Sequence, residues 1–137
     1  MKVYVTRKAH FSAAHRLYNP NFSEEKNNEL YGLCNNPLYH GHNYILEVTV
    51  VGERDPDTGY LIDLKKLKEI IDEKIIRLVD HKNLNLEVEF LKGIIPTSEN
   101  LAIAFWKQLE NNIPNGKLYS IKLYESERNI VEYRGEQ

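Results

Sequence analysis

Residues 39–52 read YHGHNYILEVTVVG, and the fold turns on them. His40, His42, Tyr44, Leu46, Val48 and Val50 share one parity, and a period of two over this length specifies a strand with one buried face. The predicted strand runs from Tyr39 to Gly52. Upstream, the same alternation starts at Val3. Val3, Val5, Ala9, Phe11 and Ala13 fall on one face, and Tyr4, Thr6, Lys8 and His10 on the other. Between these strands the stretch LYNPNFSEEKNNELYGLCNNP, residues 17–37, is polar and Asn-rich, and it reads as one long loop. Loops of that length in compact domains are commonly functional. Downstream, ERDPDTGY supplies turn chemistry through Asp-Pro and Thr-Gly. Asp63 then caps a helix whose apolar stripe is Leu64, Leu67, Ile70, Ile71, Ile75 and Leu78, ending near Asp80-His81. A second helix follows Pro96, capped by Thr97 or Ser98, with the stripe Leu101, Phe105, Leu109 and Ile113. Pro114-Asn115-Gly116 stops it. Strands over residues 118–126 and 130–134, joined by a turn at 127–129, complete the chain. The order ββααββ predicts an α+β fold: a four-stranded antiparallel sheet with both helices on one face.

The chain has 137 residues, the size of one domain, so residues 1–137 are read as a single unit. Hydrophobic residues make up 42% and charged residues 28%, which excludes intrinsic disorder. Eighteen basic and twenty acidic side chains give a net charge of -2. That balance argues against sequence-independent nucleic-acid binding, which needs a cationic surface. Cys34 is the one cysteine, so no intramolecular disulfide forms. No stretch approaches the ~20 apolar residues of a membrane span, and MKVYVTRKAH lacks a signal-peptide core. The expected location is the cytosol, with no membrane partner.

The histidines carry the first chemical signal. His40 and His42 stand at i and i+2 in a strand, so both imidazoles leave the same face, about 7 Å apart at Cα. His15 lies at the end of the neighbouring strand. Three imidazoles converging from two strands suit zinc with an open fourth position. His10 is the rival third ligand, and a His-Gly-His on a solvated strand face is the bland alternative. Cys34 is either an inert side chain or, beside a divalent cation, a thiolate base. Asp80-His81 is either a solvated helix end or half of a proton relay. Glu125 has the parity of Tyr119, Ile121 and Leu123. An inward carboxylate there is costly unless a cation, metal or ligand compensates it. Glu99, in the first turn of the second helix, has an ordinary reading as a dipole-favoured acid.

Five stretches, FSAAHRL, CNNPLYHGHNY, DHKNL, PTSEN and LYESERNIVEY, together resemble the 6-pyruvoyl-tetrahydropterin synthase family over nearly the whole chain. The resemblance implies His15, His40 and His42 as Zn2+ ligands and Cys34 as general base. It implies Asp80 and His81 as a relay that reaches a neighbouring subunit's cysteine. Glu125 becomes the acid beside the metal that completes the relay. Glu99 becomes the pterin anchor, supported by Thr97 and Ser98. The implied architecture is the tunnelling fold, whose trimers close their sheets into a twelve-stranded barrel and stack into a homohexamer, removing exposed sheet edges. The family has two main branches, both acting on 7,8-dihydroneopterin triphosphate. One yields 6-pyruvoyl-tetrahydropterin on the tetrahydrobiopterin route. The other, 6-carboxytetrahydropterin synthase, releases acetaldehyde on the queuosine route. The long interval NNPLY between Cys34 and His40 resembles the pyruvoyl branch, which is the expectation here. The carboxy branch, a zinc hydrolase and a non-catalytic pterin- or zinc-binding module are its rivals.

Overall fold

A computed structural model describes residues 1–136. Strand β1, Lys2–His15, and strand β2, His40–Glu53, pair antiparallel in unbroken register from Lys2↔Glu53 to His15↔His40. Their predicted faces are correct. Phe11, Ala13, Tyr44, Leu46, Val48 and Val50 are buried, and Phe11 stacks on Tyr44 with ring centroids 4.7 Å apart.

The stretch read as one long loop is partly helical. Helix α1, Glu24–Tyr31, is capped by Ser23, which accepts from the Lys26 N–H at 3.1 Å, and a 3-10 turn over Gly32–Asn35 follows. The helix has no apolar stripe, so periodicity does not find it. Its signals are the cap and the first-turn acids Glu24 and Glu25.

Helix α2 begins at Leu64–Ile71 with Asp63 accepting from the Lys65 N–H at 3.0 Å. It widens into a π turn over Asp72–Ile76 and ends as an α-helical turn over Arg77–Val79. The π turn shifts the helical phase, and this corrects the predicted stripe: Val79 is fully buried while Leu78 is 43% exposed. Asp80 and His81 follow, and then β3, Lys82–Asn83, pairs in parallel with Ala13 and Ala14 of β1. This adds a fifth strand to the expected four. Two residues are too few to show a period, and the strand is held by its flanks: His81 N–H donates to Ser12 O at 2.6 Å and Leu84 N–H to Ala14 O at 2.8 Å.

Helix α3, Ser98–Leu109, is capped by Thr97, whose hydroxyl accepts from Asn100 N–H at 3.2 Å. It stops four residues before Ile113, which still packs against the core. Strand β4, Lys117–Tyr124, pairs with β2, and β5, Ile130–Tyr133, pairs with β4. The sheet order is β3-β1-β2-β4-β5, with four antiparallel strands beneath α2 and α3. A register shift between Thr49 and Val50 breaks the parity of β4. Ile121 and Leu123 are buried as expected, but Tyr119 lies on the other face, edge-on to Tyr4 at 4.8 Å. Among the described residues no helix is long and apolar enough to cross a membrane.

Candidate active site and metal centre

The register of β1 and β2 sets His15 directly opposite His40, with His42 one inward position further on, facing Ala13. The three rings meet edge to face, with centroids 4.6 to 5.0 Å apart. One ring nitrogen from each lies within 4.8 Å of the others. His15 is fully buried, and its Nδ1–H donates to the carbonyl of Pro96 at 2.8 Å. A carbonyl only accepts, so this bond fixes the tautomer and leaves Nε2 with a bare lone pair. His15 Nε2, His40 Nδ1 and His42 Nε2 are all buried without a hydrogen-bond partner among the described residues. Buried unpaired nitrogens cost about 1–3 kcal/mol each. Three of them converging fit a divalent cation. A carbonyl that takes the far ring N–H, as Pro96 does for His15, is the usual support of a metal-binding histidine.

Electrostatics agree with that fit. Burial pushes the His15 imidazole down to about 4, with His40 and His42 adding to the shift and the Pro96 bond opposing it. Burial and His42 also lower His40. Both rings are therefore held neutral, the form that ligates metal. Tyr44, with its hydroxyl 3.3 Å from His15 Nδ1, has its phenol pushed up by burial. The Glu125 carboxylate pushes it further, which places that group in the field of this cluster.

Cys34 is half-buried in the 3-10 turn after α1. Its carbonyl accepts from Leu17 N–H at 2.7 Å, and Arg16 Nε donates to the neighbouring Asn35 at O and Oδ1. These bonds clamp the cysteine segment to the two residues that follow His15. Asparagines hold the rest of the stretch: buried Asn35 donates to Asn28 Oδ1 at 2.7 Å, and buried Asn27 bonds the backbone of Asn19.

Glu125 is inward, as its parity predicts. Its Oε2 accepts from Ser98 Oγ at 2.9 Å, and its Oε1 lies 3.7 Å from His42 Nε2. With His42 it lines a cavity of about 770 Å³ that also reaches Ser12, Asn43 and Tyr124. Glu99 is exposed at the start of α3, and Thr97 is spent on the helix cap. Asp80 and His81 pair with each other, Oδ1 to Nδ1 at 3.0 Å, at the β3 edge of the sheet. Neither bonds Cys34 or the three histidines. His10 is exposed on the opposite face, so it is not the third ligand. Sequence reasoning missed Pro96, Tyr44 and Asn35 as supports of the site. Pro96 contributes a carbonyl and Asn35 an amide, neither of which carries a spacing signature, whereas the parity that Tyr44 shares with His40 and His42 could have found its phenol.

The 6-pyruvoyl tetrahydropterin synthase profile matches residues 4–136. The chain belongs to that family. Human 6-pyruvoyl tetrahydrobiopterin synthase is 47% identical over 132 residues, covering 96% of this chain and 91% of the human one. The solved Caenorhabditis elegans 6-pyruvoyl tetrahydropterin synthase superposes with a TM-score of 0.94 at 41% identity, covering 99% of this chain and 97% of that one. The family also has divergent relatives: a dihydroneopterin monophosphate aldolase of Pyrococcus furiosus is 32% identical, covering 96% of this chain and 97% of its own. The tunnelling fold expected from the sequence is the fold observed.

Proposed function

We propose that this protein is a lyase that eliminates triphosphate from 7,8-dihydroneopterin triphosphate to give 6-pyruvoyl-tetrahydropterin. The observation that carries this reading is the set of three converging imidazole nitrogens without hydrogen-bond partners among the described residues. The names of the full-length relatives support the pyruvoyl product and the tetrahydrobiopterin route.

His15, His40 and His42 would hold zinc, which would supply Lewis-acid chemistry toward the substrate's side-chain hydroxyls. Cys34 takes protons from the side-chain carbons. The electron pair released next to the ring moves into the ring C=N bond, which takes up protons and is reduced as that carbinol carbon becomes a carbonyl. The second removal expels triphosphate and leaves the other carbonyl. Asp80 orients His81, and His81 moves protons at the substrate oxygens. Ser98 steadies Glu125 beside His42, where the carboxylate completes the relay. Glu99, at the N-terminus of α3 with Thr97 and Ser98, grips the donor edge of the pterin, which presents two parallel N–H groups as a guanidinium does. Glu125, lining the cavity, competes for that same edge.

The active assembly is a homohexamer of two barrel-closed trimers. The exposed edge of β1 and the short edge strand β5 support closure, because sheet edges left open invite uncontrolled pairing. His81, 82% exposed and unbonded to its own Cys34, is free to serve a neighbour's. The cytosol is the proposed location.

Incubation with dihydroneopterin triphosphate and mass analysis of the pterin formed tests the reading. The pyruvoyl product supports it. A carboxy product with acetaldehyde moves the protein to the other branch, and no turnover leaves only the binding module.

A further inference from the structure

The three histidines and Cys34 are held in unlike ways. His15, His40 and His42 stand on two strands in unbroken register, so the sheet itself fixes them. Cys34 sits on a polar stretch in which α1 and the 3-10 turn pack chiefly against each other. The one buried residue of α1 is the polar Asn27, so that helix brings no apolar anchor to the core. A base on such a segment needs a strut, since a displacement of about 1 Å can cost about a hundredfold in rate.

Arg16 has the geometry of that strut. Among the described residues it is the one side chain outside residues 17–39 that hydrogen-bonds this stretch, with Nε donating to Asn35 O at 3.0 Å and to Asn35 Oδ1 at 3.1 Å. Asn35 is buried, directly follows Cys34, and passes the hold on to α1 through Asn28. Arg16 is itself anchored. The Asn85 amide accepts from its N–H at 2.8 Å and donates to its carbonyl at 2.9 Å. This continues, past the end of β1, the pairing that β3 begins at Ala13 and Ala14. The Arg16 guanidinium lies over the Tyr18 ring, 4.3 Å from the centroid. A flat fork stacked on a ring and fixed at both backbone groups has few conformations left to lose, so it transmits position well.

We propose, resting on the reading of Cys34 as the base, that Arg16 is a positioning residue that holds the cysteine turn where the thiol reaches the substrate's side-chain carbons. In this role Arg16 touches neither substrate nor metal and acts through Asn35. The Leu17 N–H, bonded to the Cys34 carbonyl at 2.7 Å, is the second tie, but any residue except proline supplies it. The side-chain tie is the one a substitution removes.

The test uses the intact zinc-loaded protein and Arg16→Lys, which keeps the charge and loses the Nε–H that reaches Asn35. Cys34 is the one cysteine, so its alkylation by iodoacetamide, followed by mass, reads the placement of the thiol without turnover. Arg16→Lys should alkylate about threefold faster than the parent or more, because the half-buried thiol is released toward solvent. With dihydroneopterin triphosphate, kcat should fall about tenfold to a hundredfold while KM stays within about twofold and zinc content is unchanged. Tyr18→Leu should move both readouts the same way by less, and it carries the test if Arg16→Lys fails to fold by circular dichroism. Parent-like alkylation overturns the proposal. A raised KM with kcat retained also overturns it, since the guanidinium then grips the substrate's phosphates. Loss of zinc overturns it as well, because Arg16 then props His15. Turnover retained in Cys34→Ala removes the base and the strut together, whereas parent-like alkylation in Arg16→Lys removes the strut alone.

Discussion

Two histidine-bearing regions lie at neighbouring positions of one sheet and could hardly differ more in surroundings. His15, His40 and His42 are packed at the β1–β2 end, with three ring nitrogens that have no hydrogen-bond partner among the described residues. Asp80 and His81 sit on the open edge and satisfy each other in solvent. The first group is costly as it stands and would be relieved by a cation, and one chain suffices to define it. The second is satisfied as it stands, and within its own chain it ties β3 to the edge of β1 through Ser12. A buried unmet nitrogen therefore calls for a ligand, whereas an exposed pair that is already satisfied calls for none.

The largest effect should come from breaking the buried half. His40→Ala should drop zinc from about one per chain to near none by metal analysis, with the sheet intact by circular dichroism. Unchanged zinc would dissolve the contrast between the regions. Next, Cys34→Ala should keep zinc and pterin binding while triphosphate release falls ~10²–10⁴-fold, the usual cost of losing a positioned base. Near-normal turnover would remove the cysteine from the chemistry and favour a hydrolase or a passive binder.

A smaller effect separates the two carboxylates. Glu99→Gln and Glu125→Gln keep shape and lose charge, and the one that grips the pterin should weaken substrate binding about tenfold to a hundredfold with zinc retained. Unaltered affinity in Glu99→Gln, together with a loss in Glu125→Gln, would return Glu99 to a helix-terminal acid.

The smallest effect is expected at the exposed pair. Asp80→Ala should cost about 1 kcal/mol in urea unfolding, since it removes one bond to the Ser12 N–H. That bond holds the Asp80 carboxyl below its usual range, with His81 assisting. The sign follows from linkage. A depressed folded value stabilises the protein above the ordinary carboxylate pKa of about 4, and the contribution fades as pH falls through the folded value. The stability gap between parent and Asp80→Asn should therefore shrink below about pH 4. A gap that widens there would place the pair's role outside the fold.

Much of this arrangement was legible because period two and register are read directly from side-chain alternation. YHGHNYILEV places His40 and His42 on the buried face, and the antiparallel neighbour brings His15 to them. What escaped has no period. α1 buries almost no apolar surface, β3 is two residues long, and the bulge opposite Val50 turns Tyr119 to the other face. The same holds for Pro96, whose contribution to His15 is a main-chain oxygen that any residue could supply.

The π turn in α2 has a consequence for how this chain tolerates changes in length. It acts as a vernier between the front of the helix, locked by Leu67, Ile70 and Ile71, and the segment that delivers Asp80 to Ser12. Deleting one residue between Asp72 and Ile76 would restore regular winding and bring Val79 to eleven places after Leu67, still within about 20° of it around the axis. Val79 would stay in the interior and Asp80 would keep its strand, because the wide turn has already absorbed the extra residue. A single-codon deletion is thus tolerated in the π turn, whereas one in the regular turns ahead of it would swing everything beyond by about 100°.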